Sequence, residues 1–249
     1  MGIMNYSNSE ETMLTKEQEK ICKKRLIEHR HDSYDVDLYL SNTILGNFRV
    51  NKNVFRPDIG TGIYLARFLS ENRQVFQGKN VIDMGCGTGL QAIVMGLQGA
   101  NVVVASDISS DAYLNTKENI SKFSLNHKVF ALHGDLFEPV SAKYDLKTFD
   151  LVVFNHPFFG SAPYESDAVA RAWMDDGSLI HRFFSDFNKN FNISAKIIMP
   201  YFFFAGSTND PGVQAAKHGL DAKVICQYNV DDRNILKGTF AVYDISRLV

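Results

Sequence analysis

From Val81 onward the chain alternates short apolar runs with stretches of helical periodicity, and this alternation limits its fold more than any other feature. Val81–Met84 reads as a strand, Gly89–Leu97 as a helix, Val102–Ala105 as a strand, Ser110–Phe123 as a helix and Val129–Leu132 as a strand. Leu151–Phe154, Ala195–Met199, Ala222–Gln227 and Thr239–Ile245 are the later strand segments. Parallel neighbours need long right-handed crossovers, which helices supply, so the pattern predicts an α/β fold with a doubly wound, mainly parallel sheet. Only Tyr228 to Gly238 separates the last two strands. That is short for a crossover helix and predicts an antiparallel hairpin at the end of the sheet.

The first residues, 1 to about 14, read as a frayed terminus. Thr15–His29 reads as a helix, with Thr15 as N-cap, Gln18 completing a capping box, and Ile21, Leu26 and Ile27 as its apolar face. Val36–Val54 reads as a hairpin turning around Leu45-Gly46-Asn47; Arg56-Pro57 ends it, and Ile63–Leu69 starts another helix. The expected division is an extension over residues 1–52, a candidate substrate-recognition element, and a main domain over 53–249.

Composition narrows the partners. In 249 residues, 45% are apolar and 22% charged, as in ordinary soluble globular chains. The 26 basic and 28 acidic residues leave a formal charge of −2, so no global basic field favours nucleic acid. Lys16 to Arg30 holds Lys20, Lys23, Lys24 and Arg25, but Glu17, Glu19 and Glu28 interleave, and a solvated helix face is expected. Cys22, Cys86 and Cys226 are far apart with no Cys-x-x-Cys pair, so neither a metal site nor a disulfide framework is expected. The polar start from Asn5 to Lys20 lacks a signal-peptide core, and no apolar run approaches the roughly 20 residues of a membrane span. Met1-Gly2 is followed by Tyr6 where myristoylation needs Ser or Thr. A reducing cytoplasm and no membrane partner are the expectation.

The first strand of the alternating region runs into Asp83-Met84-Gly85-Cys86-Gly87-Thr88-Gly89, an acid followed by glycines at alternate positions. Such a turn lets the backbone bend sharply and approach a ligand closely. The dinucleotide fingerprint counted from Gly85 would need glycine where Leu90 stands. The segment instead resembles the acid-x-Gly-x-Gly-x-Gly motif of class I S-adenosylmethionine-dependent methyltransferases. That resemblance implies a Rossmann-like sheet of seven strands with the last reversed, S-adenosylmethionine as methyl donor and no metal. Cofactor contacts then fall on Asp83, Gly85, Cys86, Gly87 and Gly89.

In a doubly wound sheet, ligands bind beyond the carboxyl ends of the strands. The second strand ends at Asp107, 20 residues after Gly87, where an acid accepts ribose hydroxyls or else caps the next helix; Ile108 follows it. The third ends His133-Gly134-Asp135-Leu136. Asp135 resembles the family's adenine-amine acceptor, with Leu136 against the base.

The fourth ends Asn155-His156-Pro157-Phe158. It resembles the Asn-Pro-Pro-Phe or Asn-Pro-Pro-Tyr motif of methyltransferases acting on planar nitrogens, with His156 in place of the first proline. An sp² nitrogen needs its N–H groups held by acceptors so that its lone pair points at the methyl. Asn155 Oδ1 and the His156 carbonyl are candidates, Phe158 supplies a stacking ring, and Pro157 stiffens the turn; the resemblance also implies that Asn155 contacts the cofactor. The imidazole adds a group with a reference pKa near neutrality, readable as a general base or as turn filler. Upstream, Val54 to Gly62 resembles the segment that closes over the cofactor, with Thr61 near its methionine end. Between strand and helix, Tyr164, Glu165, Arg171 and Trp173 form a candidate substrate-facing loop.

The expected activity is methyl transfer to a planar nitrogen: a protein glutamine amide, a nucleic-acid base amine, or a nitrogen of a small metabolite. A small-molecule acceptor of another kind, an NAD-binding oxidoreductase and a non-catalytic cofactor-binding subunit remain as alternatives.

Overall fold

The computed structural model describes residues 14–160, 168–232 and 236–248. The first helix, α1 (Lys16–Glu28), starts with the expected capping box: Thr15 Oγ1 accepts from the Gln18 N–H, and Gln18 Oε1 accepts from the Thr15 N–H at 2.8 Å. Its buried face is Cys22, Arg25 and Leu26; Ile27, expected on that face, is 70% exposed. At 100° per residue Ile27 falls opposite Cys22 and Arg25, so the apolar residue points to solvent.

The hairpin pairs β1 (Tyr34–Leu40) with β2 (Thr43–Val50), antiparallel. Its turn is Ser41-Asn42, and the Leu45-Gly46-Asn47 segment lies within β2 instead. Leu45 is buried opposite Leu38, while Gly46 and Asn47 bulge opposite Asp37, whose Oδ1 accepts the Asn47 N–H at 2.7 Å. A turn signal was therefore a bulge signal.

The main sheet runs in the order β10-β11-β9-β6-β3-β4-β5. Its strands are β3 (Asn80–Met84), β4 (Val102–Asp107), β5 (Val129–His133), β6 (Leu151–Phe154), β9 (Lys196–Phe202), β10 (Leu220–Asp232) and β11 (Leu236–Arg247). All neighbours are parallel except β11, which is antiparallel to both β9 and β10. This is the expected seven-strand sheet with the last strand reversed. A two-residue parallel pair, β7 (Phe159–Gly160) with β8 (Met174–Asp175), sits beside it.

The helices are α2 (Gly62–Glu71), α3 (Leu90–Leu97), α4 (Ser110–Lys122), α5 (Glu138–Ser141), α6 (Ala168–Arg171), α7 (Ser178–Asn190) and α8 (Pro211–Lys217). Val81, Ile82, Val103, Val104 and Val152 of the central strands have no exposed surface, as parallel strands covered on both faces require. The helix α3 is buried nearly all round, and at Gly96 an added Cβ would lie 2.6 Å from Val129 Cγ2 and 3.2 Å from Leu125 Cδ1. Gly96→Val is expected to cost about 2 kcal/mol through overpacking, read as a lower urea midpoint at unchanged slope.

Because strand order reverses at β3, the carboxyl ends of β3, β4 and β6 face one open crevice. The extension is tied to this region: Arg49 and Asn51 donate backbone N–H groups to Asn119 and Asn115 of α4 at 3.0 and 2.8 Å.

Candidate active site

A cavity of about 400 Å³ opens over the ends of β3, β4 and β6. One half is built by the glycine turn, where Gly85, Gly87 and Gly89 all have positive φ, at 62°, 56° and 81°. An added Cβ at Gly87 would meet nothing within 4 Å, so this backbone faces open space in the cavity. Gly89 instead caps α3 from behind, and a Cβ there would press Thr116 Cγ2 at 3.0 Å. Asp83 is buried beneath the turn, and its Oδ2 accepts the Ala92 N–H at 2.9 Å, latching β3 to the first turn of α3. Burial pushes its carboxyl up to about 8. Neither Asp83 nor Gly89 lines the cavity; both hold the turn in shape.

Asp107 does line it. Its Oδ2 accepts the Gly87 N–H at 2.9 Å and its Oδ1 the Ser109 N–H at 2.8 Å, so it fixes the entry to α4 and the glycine turn together. A carboxylate has about four acceptor positions, which leaves capacity for hydroxyl donors. Burial raises its pKa. Cys86 and Leu136 form apolar lining, and Ile108 is 57% exposed at the rim. Asp135 lies in the same lining, forked by Arg182 of α7 at 2.6 and 3.3 Å.

The other half lies beyond β6. Asn155 stands next to Thr61 and the start of α2, where a Cβ on Gly62 would come within 3.7 Å of Asn155 Nδ2. Asn155 Oδ1 is buried and has no hydrogen-bond partner. Phe158 closes the floor at 2% exposure, packed edge-on against Tyr201. Phe55, Arg171 and Trp173 also line the cavity; Tyr164 and Glu165 lie outside the described residues.

Residues 47–177, just over half of the chain, match the model of the methyltransferase small domain. The chain belongs to this family. Release factor glutamine methyltransferase of Clostridium botulinum is 33% identical over 164 residues, 65% of this chain and 55% of its own length. The tRNA1(Val) adenine-N6 methyltransferase of a Flavobacteriaceae bacterium is 31% identical over 122 residues, 49% of each. The chain thus spans about half the length of the curated relatives it matches. A solved 16S rRNA methyltransferase from T. thermophilus, in complex with AdoMet and guanosine, superposes with a TM-score of 0.60 at 16% identity, covering 88% of this chain and 51% of that one. At that identity the likeness is one of fold.

Within this methyltransferase small domain, His156 departs from what its residue type suggests. Its ring is 3% exposed, stacks on Tyr201 at 13° between planes, and its Nε2 lies 2.7 Å from the Asn209 carbonyl, to which it donates. Burial pushes its pKa down to about 4, so the imidazole is neutral at pH 7 and does not titrate near neutrality. Such a ring fills the turn and is a poor proton acceptor. Between pH 6.5 and 4 the unfolded state binds a proton here that the folded state refuses, so stability from this site is complete above pH 6.5 and lost as pH falls toward 4. On going from pH 7 to pH 4, the wild type is expected to lose about 3 kcal/mol more than His156→Asn does, measured by urea denaturation of both.

Arg182, Asn209, Tyr201 and His29 escape sequence reading. Arg182 sits in an amphipathic helix whose partner Asp135 is 47 residues away, and Asn209 reaches His156 from a loop 53 residues on. The amphipathic pattern of Ser178–Asn190 is the signal that could have found Arg182, by placing it on the solvent side. Among the described residues no cluster of three His, Cys, Asp or Glu side chains is placed to hold a metal, and no helix is long and apolar enough to cross a membrane.

Proposed function

We propose that this protein transfers a methyl group from S-adenosylmethionine to a nitrogen within a planar group. The observation that carries the reading is Asn155, which lines a cavity whose other half is a glycine turn and holds there a buried Oδ1 acceptor with no partner. An unsatisfied buried acceptor costs on the order of 1–3 kcal/mol, which a ligand N–H in the cavity removes.

The residues present fit the cofactor. Gly87 leaves bare backbone where a side chain would stand, Asp107 keeps acceptor capacity for two ribose hydroxyls, and Asp135 keeps a free lone pair on each oxygen for an adenine amine. Thr61, Gly85, Cys86 and Leu136 supply the remaining lining. When bound, S-adenosylmethionine supplies an electrophilic methyl on a positively charged sulfur.

The chain's own residues do the positioning. Asn155 Oδ1 accepts an N–H of the acceptor nitrogen and turns its lone pair toward the glycine-turn half of the cavity. Pro157 and the buried His156 ring hold that turn rigid, and Phe158 bounds the planar group. Holding two reactants in attack geometry is worth about 7–11 kcal/mol, so no perturbed acid or base is needed. The extra proton on the product nitrogen passes to water, since burial pushes the His156 pKa down to about 4 and makes the ring a poor base. Two of the relatives are named for glutamine and for adenine N6, both sp² nitrogens that carry N–H, which supports this acceptor chemistry.

The acceptor is a protein glutamine, a nucleic-acid base or a small metabolite. Calorimetric titration with S-adenosylhomocysteine and separately with NAD tests the cofactor assignment. Saturable binding of the first alone is expected; binding of NAD alone overturns the reading.

A further inference from the structure

Several residues of the N-terminal extension touch the cavity lining: His31 Nε2 lies 3.1 Å from the Val54 carbonyl, the Glu28 carbonyl accepts from Arg56, and His29 packs against Phe55. His29, the C-cap of α1, has no exposed surface. Its ring lies 3.5 Å, centroid to centroid, from the Phe55 ring at 23° between planes, and Phe55 in turn lies 5.5 Å from Trp173 at the same angle. Phe55 and Trp173 both line the cavity, Trp173 packs at 5.3 Å against Phe159 next to Phe158 of the acceptor half, and His29, outside the lining, packs against both. The backbone is held at the same place: His29 Nδ1 accepts the Arg56 N–H at 2.9 Å, and Arg56 Nη1 reaches the Glu28 carbonyl at 3.4 Å.

From this geometry we infer that His29 is a positioning residue for the acceptor half of the cavity, setting the Phe55–Trp173 wall from the N-terminal extension. The extension is then part of the acceptor site, beyond any surface role in recognition. The inference rests on the methyl-transfer reading for what the wall faces, while the contacts themselves do not depend on it.

Three features separate this from ordinary packing. The ring touches the lining at both a side-chain face and a backbone N–H, so it fixes both the place and the tilt of residues 55–56. Its Nδ1 acts as acceptor, which requires the proton on Nε2 and excludes the imidazolium. Burial, with Arg25 and Arg56 nearby, pushes its pKa down to about 3, so that state persists across the physiological range. The cofactor half, built from β3 and β4, makes no use of it: Asp107 and Gly87 are bonded to each other and to Ser109.

Trp173 is the only tryptophan in the chain, so its fluorescence reports on the wall directly. The test uses the full chain as wild type, His29→Ala and His29→Asn, the last keeping an acceptor for the Arg56 N–H while losing the stack. Acrylamide quenching of Trp173 is measured beside calorimetric affinity for S-adenosylhomocysteine. Methylation kinetics follow, on whichever cell-extract fraction takes up labelled methyl. His29→Ala is expected to raise the quenching constant at least threefold and the acceptor KM about tenfold. Its kcat and S-adenosylhomocysteine affinity are expected to stay within about twofold, and His29→Asn to recover part of both changes.

Unchanged quenching in His29→Ala, or a fall in S-adenosylhomocysteine affinity parallel to the KM rise, overturns the inference. If His29→Ala does not fold, His29→Asn decides alone: a threefold KM rise with increased quenching supports the inference, and wild-type values of both overturn it. If no fraction accepts methyl, the proposed function fails, and the quenching comparison still decides the role of His29 in the wall.

Discussion

Asn155→Ala is expected to lower methyl transfer on the order of 1,000-fold while leaving S-adenosylhomocysteine affinity within about threefold of wild type. The size follows from what the side chain does. Its Oδ1 is the buried, unpartnered acceptor at the end of β6, and without it the planar nitrogen loses the contact that aims its lone pair. A misplacement of about 1 Å at the reacting atom costs about 100-fold, and loss of a preorganised polar partner costs 100- to 1,000-fold. Cofactor affinity stays because the glycine turn and Asp107 are held by their own hydrogen bonds, from Ala92 to Asp83 and from Gly87 to Asp107. Asn155→Asp keeps an acceptor oxygen but replaces the amide with a charge. It is expected to recover only part of the rate and to lose that part as pH rises and the carboxylate forms.

Asp107→Ala is expected to produce the opposite pattern: S-adenosylhomocysteine affinity falls about 500-fold, or about 3.7 kcal/mol. Two ribose hydroxyl bonds to a carboxylate are worth about 1.5–3 kcal/mol each. The same change also frees the Gly87 N–H, so the turn itself loosens. A thermal melt separates the two effects: the variant loses most of the ligand-induced rise in Tm while the ligand-free Tm drops by only a few degrees. Equal affinity in wild type and Asp107→Ala would remove the ribose assignment and leave Asp107 as a backbone cap.

The strand–helix alternation was legible because the sheet is buried on both faces, so each central strand appears in sequence as a continuous apolar run, such as Val103-Val104 or Val152-Val153. The polar residues at the strand ends were legible for the same reason, standing out where the apolar runs stop. What failed depends on contacts distant in sequence. Ile27 carries an apolar side chain on an exposed face of the helix, and residue type alone does not say which face the body covers. Gly46-Asn47 has the composition of a turn but the place of a bulge, because Ser41-Asn42 already closes the hairpin.

His156 illustrates the limit within the site. From sequence the ring reads as a general base or as turn filler; the Asn209 carbonyl and the Tyr201 ring, both far along the chain, pack against it, and burial keeps it neutral. Asp83 and Gly89 show the reverse case. Their positions in the glycine turn read as ligand contacts, and the structure shows them holding the turn in shape.

The most direct test of the central claim is transfer of labelled methyl from S-adenosylmethionine into a fractionated cell extract, followed by hydrolysis and chromatography of the labelled product. Label is expected in a single fraction, on a nitrogen of an amide or of an aromatic ring system, in the wild type and not in Asn155→Ala. Label on oxygen, sulfur, carbon or an aliphatic amine, or label that persists in Asn155→Ala, would contradict it.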